Sequence, residues 1–147
     1  MTCSMLAMFT AGFALVLVPG ALAQSDPLSE RKALMKGNLE GAQNLVKMVR
    51  GQSPFEQEKV NAAFEQWATT AKKLPNLFPT PPAQGEDTRA LSKIWENKPD
   101  FEAKIASFEK AVSENKDKAT SVDELKAVMP RVSDSCNGCH ELYRRPK

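Results

Sequence analysis

Residues 121–143, SVDELKAVMPRVSDSCNGCHELY, carry the reading that decides the fold. Ser121-Val122-Asp123-Glu124 is a capping box, in which the serine hydroxyl accepts from the backbone three residues on and the glutamate reaches back. Behind it Val122, Leu125, Met129, Val132, Cys136, Cys139 and Tyr143 recur every three or four residues, so they share one face of a helix. Pro130 falls inside that run, where it removes one backbone hydrogen bond and favours a bend without ending the helix.

Working back from this segment, the same periodicity recurs three times. Asp26 to Arg50 reads as a helix capped by Asp26, opened by Pro27 and ended by Gly51, with a stripe of Leu28, Met35, Leu39, Ala42, Val46 and Val49. Ser53-Pro54-Phe55-Glu56 reads as a second capping box with proline at its first position, followed by Val60, Ala63, Phe64, Trp67, Ala71 and Leu74. Pro75, Pro79, Pro81, Pro82 and Gly85 then forbid continuous helix to about Asn97. Pro99 opens a third helix through Asn115, with Phe101, Ile105, Phe108 and Val112 inward. No strand-like alternation interrupts the series. The pattern predicts an all-α protein, an antiparallel up-down-up-down four-helix bundle with a long connection between helices two and three.

Composition narrows the chemistry. The chain has 147 residues, with 20 Lys+Arg against 18 Asp+Glu, one His, three Cys and six Met. This is one domain's worth of chain. A net charge of +2 with 41% hydrophobic residues excludes both a disordered acidic tail and a polybasic nucleic-acid binder. A single His excludes a three-His zinc site. Residues 1–23 read as a cleaved signal peptide: Met5 to Val18 is nearly all apolar, Pro19 and Gly20 break it, and Ala21-Leu22-Ala23 is an A-x-A cleavage site. The leader lacks Lys and Arg, and its apolar run falls short of the roughly 20 residues a membrane span needs. The folded domain is then residues 24–147, exported to an oxidising periplasmic compartment with no stable membrane insertion. It keeps two thiols, Cys136 and Cys139, and three thioethers, Met35, Met48 and Met129.

Cys136-Asn137-Gly138-Cys139-His140 is C-x-x-C-H, the signature of c-type haem attachment. Two thiols at i and i+3 share a helix face and can bond the two vinyl groups along one porphyrin edge, while the next residue holds its imidazole against the iron. A thioredoxin-like redox pair would sit at a helix start in a βαβ context. A plain disulfide and a partial metal site are the other readings of the two thiols.

The second axial position of the iron then decides the function, and no second His exists. Met129 lies eleven residues before His140 on the same helix, about 16 Å away, and does not reach across the iron. In an up-down-up-down bundle the early part of the first helix lies level with the end of the fourth, which brings Met35 to His140. Met48 sits roughly 20 Å further along and on another face. A methionine on an apolar seam is ordinarily core filler, and the need for a group across the iron singles out Met35.

These segments together resemble the cytochrome c′ family, the class II c-type cytochromes. The resemblance runs through Arg31-Lys32-Ala33-Leu34-Met35-Lys36, Leu74 to Pro79, Thr88 to Asn97, and Cys136 to His140 with Tyr143-Arg144. It implies thioether bonds to one haem c at Cys136 and Cys139, His140 as proximal ligand, and Arg31, Trp95 and Arg144 beside the haem. As alternatives, the arginines are solvated charges and Trp95 seals the bundle. Family members with a ligating methionine at the position of Met35 belong to the low-spin cytochrome c-556 branch. The implied function is a one-electron carrier rather than an enzyme, serving redox partner proteins, with homodimers through the first two helices common in the family. The alternative is a five-coordinate protein that binds NO or CO.

Overall fold

The structure, a computed structural model, describes residues 26–79 and 88–146. The expected leader lies outside them, as does the middle of the expected connection. Helix α1 runs Pro27–Val49, α2 Gln57–Lys73, the single turn α3 Lys93–Glu96, α4 Lys98–Asn115 and α5 Val122–Tyr143. Neighbours pack α1 on α2, α2 on α4, α4 on α5 and α5 on α1. That ring is the antiparallel four-helix bundle, and among the described residues the only β pairing is an isolated bridge, Ala90 with Arg144.

Most helix ends follow their local chemistry. Asp26 Oδ2 accepts from the backbone N–H of Ser29 at 2.9 Å, with Pro27 directly behind it. At the other end of α1, Gly51 takes φ +69°, its N–H reaches the Met48 carbonyl and that of Gln52 reaches Lys47, closing the helix with a left-handed glycine. Ser121 Oγ accepts from Glu124 N at 3.3 Å, and the Glu124 carboxylate in turn accepts from Thr120 N at 3.0 Å. Pro130 is exposed and α5 continues through it, so water can serve the carbonyl that loses its donor.

The second capping box does not form. Helix α2 starts at Gln57, and Glu56 precedes it in extended conformation without a side-chain cap. The Glu56 carboxylate is taken by Lys59 at 2.6 Å rather than reaching back to Ser53, and Phe55 turns in against the core.

Two clusters fill the bundle. The larger gathers Leu45, Met48, Phe64, Trp67, Val112 and Leu125 among others, and the smaller holds Leu74, Phe78, Ile94, Phe101, Ile105 and Tyr143. The expected stripes of α2 and α4 are buried throughout. That of α1 is offset by about one residue, roughly 100° of rotation. Its buried line is Arg31, Leu34, Leu45 and Met48, while Leu39 is 57% exposed. The cause is a polar seam that hydropathy does not register. Thr70 Oγ1 donates to Asn38 Oδ1 at 2.8 Å and the Trp67 indole donates to the Asn38 carbonyl at 3.2 Å. The helices meet so closely here that a Cβ on Gly41 would lie 3.1 Å from that of Ala63.

This contact makes a prediction against helix propensity, which alone favours replacing a helical glycine. Gly41→Val should destabilise the bundle by about 1–3 kcal/mol through overpacking, read as a lowered midpoint in denaturant unfolding. A neutral or raised midpoint would show that α1 and α2 are not in close contact at this level.

Candidate functional site

Helix α5 remains regular through its last turns, so Cys139, His140, Tyr143 and Arg144 face the same side, with Cys136 one turn back. Opposite, α1 presents Leu28, Arg31, Lys32 and Met35 at helical spacing. Between the two lies a cavity of about 360 Å³, closed by Leu74 and Phe78 after α2, by Phe101 and Ile105 on α4, and by Thr88–Ala90 and Ile94 from the connection. The volume falls within the roughly 300–1,000 Å³ of small-molecule and cofactor sites.

Of the residues singled out from sequence, Met35, Cys139, His140, Arg31 and Arg144 share this cavity. Cys136 packs instead against the larger core cluster. Trp95 stands outside the lining, edge-on to Phe78 at 6.2 Å between ring centroids, with its indole N–H donating to the Pro79 carbonyl at 2.7 Å. Met48 is buried in the larger cluster and Met129 packs against it, both away from His140.

Arg31 is buried at 6% exposure. Its Nη1 donates to the Leu77 carbonyl at 2.7 Å, and its guanidinium lies 4.5 Å over the Phe78 ring. This holds a cation on the wall beside Met35, one turn away on α1.

The electrostatics favour neutral donors. Burial, then Arg144 and Arg89, hold His140 below the usual imidazole range, leaving a ring nitrogen free to bind a metal. Burial pushes both Cys136 and Cys139 up, and both are free. Protonated thiols near a helix C-terminus are the opposite of a thioredoxin-like thiolate, which a helix N-terminus stabilises. Two free thiols one turn apart, an adjacent neutral imidazole, apolar aromatic walls and a thioether opposite together fit a haem attached through C-x-x-C-H.

Several contributors escaped the sequence reading. Lys32 was recoverable, since it lies three residues before Met35 on α1. Arg89 was not, because it arrives by a two-residue pairing too short to leave a pattern. Leu91 N donates to Tyr143 O at 3.0 Å and Arg145 N to Arg89 O at 2.8 Å, which straps the connection to the end of α5. Tyr143 completes the anchor: its ring meets Phe101 at 5.2 Å and its hydroxyl donates to Asp100 Oδ2 at 2.5 Å.

Comparisons with known proteins agree with this geometry. The family model described as Cytochrome C' matches residues 26–144. Cytochrome c-556 of Rhodopseudomonas palustris is 39% identical over 136 residues, covering 89% of this chain and 91% of the relative. The solved cytochrome c′ of the same organism superimposes with TM-score 0.78 at 34% identity, covering 84% of this chain and 99% of that one. An NMR-validated structural model of oxidised cytochrome c556 from R. palustris superimposes with TM-score 0.73 at 36% identity, covering 84% of this chain and 99% of that one.

The anchor generates a pH prediction. The hydrogen bond to Asp100, then burial, push Tyr143 up to about 12, above the roughly 10 of an unfolded tyrosine. Its contribution to stability is therefore complete below about pH 10 and is lost as pH rises towards 12. Tyr143→Phe should flatten the fall in stability across that window in denaturant titrations at stepped pH. The chain has one Tyr, so tyrosinate absorbance reads the same group directly, and an ionisation near 10 in the folded protein would contradict the assignment.

Proposed function

The chain belongs to the cytochrome c′ family, and on that premise we propose that it is an exported mono-haem carrier of single electrons whose iron is ligated by His140 and Met35. As a family member it is a c-type haem protein with covalently attached haem c. Cys136 and Cys139 would hold the group through thioether bonds, and it supplies a one-electron ferric/ferrous couple. Export rests on the leader-like residues 1–23, and no helix among the described residues is long and apolar enough to cross a membrane.

The observation that carries the carrier reading is the company Met35 keeps. Of the three methionines beyond the leader, it alone lines the cavity with His140. A thioether on the side opposite an imidazole stabilises the reduced state and raises the potential. With His140 and Met35 both held in place to bind it, the group would exchange electrons with little rearrangement of the protein. The buried Arg31 and the apolar walls frame the Met35 side, and the strap onto α5 keeps His140 in register.

The test is spectroscopic. The oxidised holoprotein should be low-spin with a thioether-to-iron charge-transfer band, and Met35→Ala should abolish the band and open the iron to CO. A spectrum unchanged by the substitution would remove Met35 as ligand. The second reading, gas binding at a five-coordinate iron, draws on the comparable similarity to cytochrome c′. Rapid CO binding by the untreated ferrous protein would favour it.

Attachment has its own test. The holoprotein should gain the mass of one haem and show no free thiol at Cys136 or Cys139. Replacing either cysteine with alanine should leave one thioether bond, and replacing both should release the group on acid–organic extraction. Free thiols in the holoprotein would argue for a haem-free dithiol protein.

A further inference from the structure

The chain's net charge of +2 conceals an uneven distribution. Arg31, Lys32, Arg89 and Arg144 line the cavity, and no carboxylate does so among the described residues. These four cations exceed the charge of the whole chain, so the remainder is net acidic. A wall lined by cations without carboxylates is a local positive patch whatever the total charge.

Part of that excess is gathered on purpose-built backbone. Arg89 Nε and Nη2 both donate to the Arg145 carbonyl, at 3.0 and 2.5 Å, and Arg145 Nη2 donates to the Thr88 carbonyl at 2.9 Å. Arg144 lies between them on the bridge to Ala90. Uncharged carbonyls thus hold two guanidinium groups, those of Arg89 and Arg145, together against their mutual repulsion. Among the described residues none of the three forms an ion pair, although five lysines elsewhere do. Arg144 and Arg145 are exposed and Arg89 is half-buried. The two carboxylates of a bound haem offset part of the cavity charge, while Arg145 stands off the cavity wall.

We propose that Arg89, Arg144 and Arg145 form the docking surface for the acidic face of a redox partner protein, oriented over the His140 side of the site. The proposal rests on the electron-carrier reading and adds the chemistry of the partner. An exposed like-charge cluster without internal carboxylates is complementary to an acidic surface, and such complementarity chiefly raises the association rate and sets orientation.

The experiment uses the reduced holoprotein and two small trivalent oxidants of opposite sign, hexacyanoferrate(III) and tris(phenanthroline)cobalt(III). In each reaction one electron leaves the ferrous iron and reduces one metal complex. The hexacyanoferrate rate should fall with ionic strength, and the cobalt rate should rise. Arg145→Gln should slow the hexacyanoferrate reaction roughly fivefold at low ionic strength, as expected for a unit charge about 10 Å from a trivalent anion in water. Arg89→Gln/Arg145→Gln should slow it further, and the exposed single variant keeps the test decisive where the double variant unstraps the connection. Lys110→Gln/Lys126→Gln, a control that removes two charges elsewhere, should change the rate less than Arg145→Gln alone.

Poly-L-glutamate stands in for the acidic partner, and should bind at low salt, lose affinity with the arginine variants and inhibit the hexacyanoferrate reaction. Equal effects of control and arginine variants would overturn the proposal, as would binding to phosphatidylglycerol vesicles with none to poly-L-glutamate. Salt-independent exchange with both oxidants would remove the docking surface and leave the carrier intact. Exchange with neither, together with rapid CO binding, would remove the carrier reading itself.

Discussion

The register of α5 is the constraint on which the rest of the molecule depends. Cys136, Cys139, His140 and Tyr143 act together only while the helix keeps its 3.6-residue turn to its end, because a slip of one residue would swing His140 by about 100°. Helix ends ordinarily fray. Here Tyr143 inserts against Phe101 and donates to Asp100, and the strap from Leu91 and Arg89 pairs with residues just beyond the last turn. The last turn is thus anchored where a haem-binding helix would otherwise fray.

That anchor also explains the division of the interior. Away from the site, the bundle closes on a continuous cluster around Leu45, Trp67, Val112 and Leu125. At the other end the helices stay apart, and the smaller cluster of aromatic and aliphatic side chains lines one side of the cavity rather than filling it. A run of edge-on rings from Trp95 through Phe78 and Phe101 to Tyr143 stiffens that wall. The polar seam between α1 and α2 fixes the rotation of α1, and with it the direction in which Arg31 and Met35 point.

Legibility in the sequence followed the strength of the local signal. The stripes of α2 and α4 were readable because every inward position is apolar or small and repeats at helical spacing. The stripe of α1 was misread by one residue because its true contact line includes Arg31, Asn38 and Gly41, which hydropathy scores as surface. The start of α2 was misread because a capping box is only an opportunity, and Glu56 found Lys59 first. The Arg89–Arg145 strap left no pattern, since a single bridge has no period to detect.

The sequence by itself determined the family, the helical class and the haem-binding motif, because C-x-x-C-H and apolar periodicity are relations between residues a few positions apart. Beyond residues 1–23 it also reduced the possible ligands to one His and three Met. Only the tertiary structure decided which of those share a cavity, how α1 is rotated, and where the charge lies. Those are relations between residues about 20 to 110 positions apart, set by packing and by backbone pairing across the bundle. Near-neutral composition concealed a cationic cavity wall for the same reason: a sum of charges carries no positions.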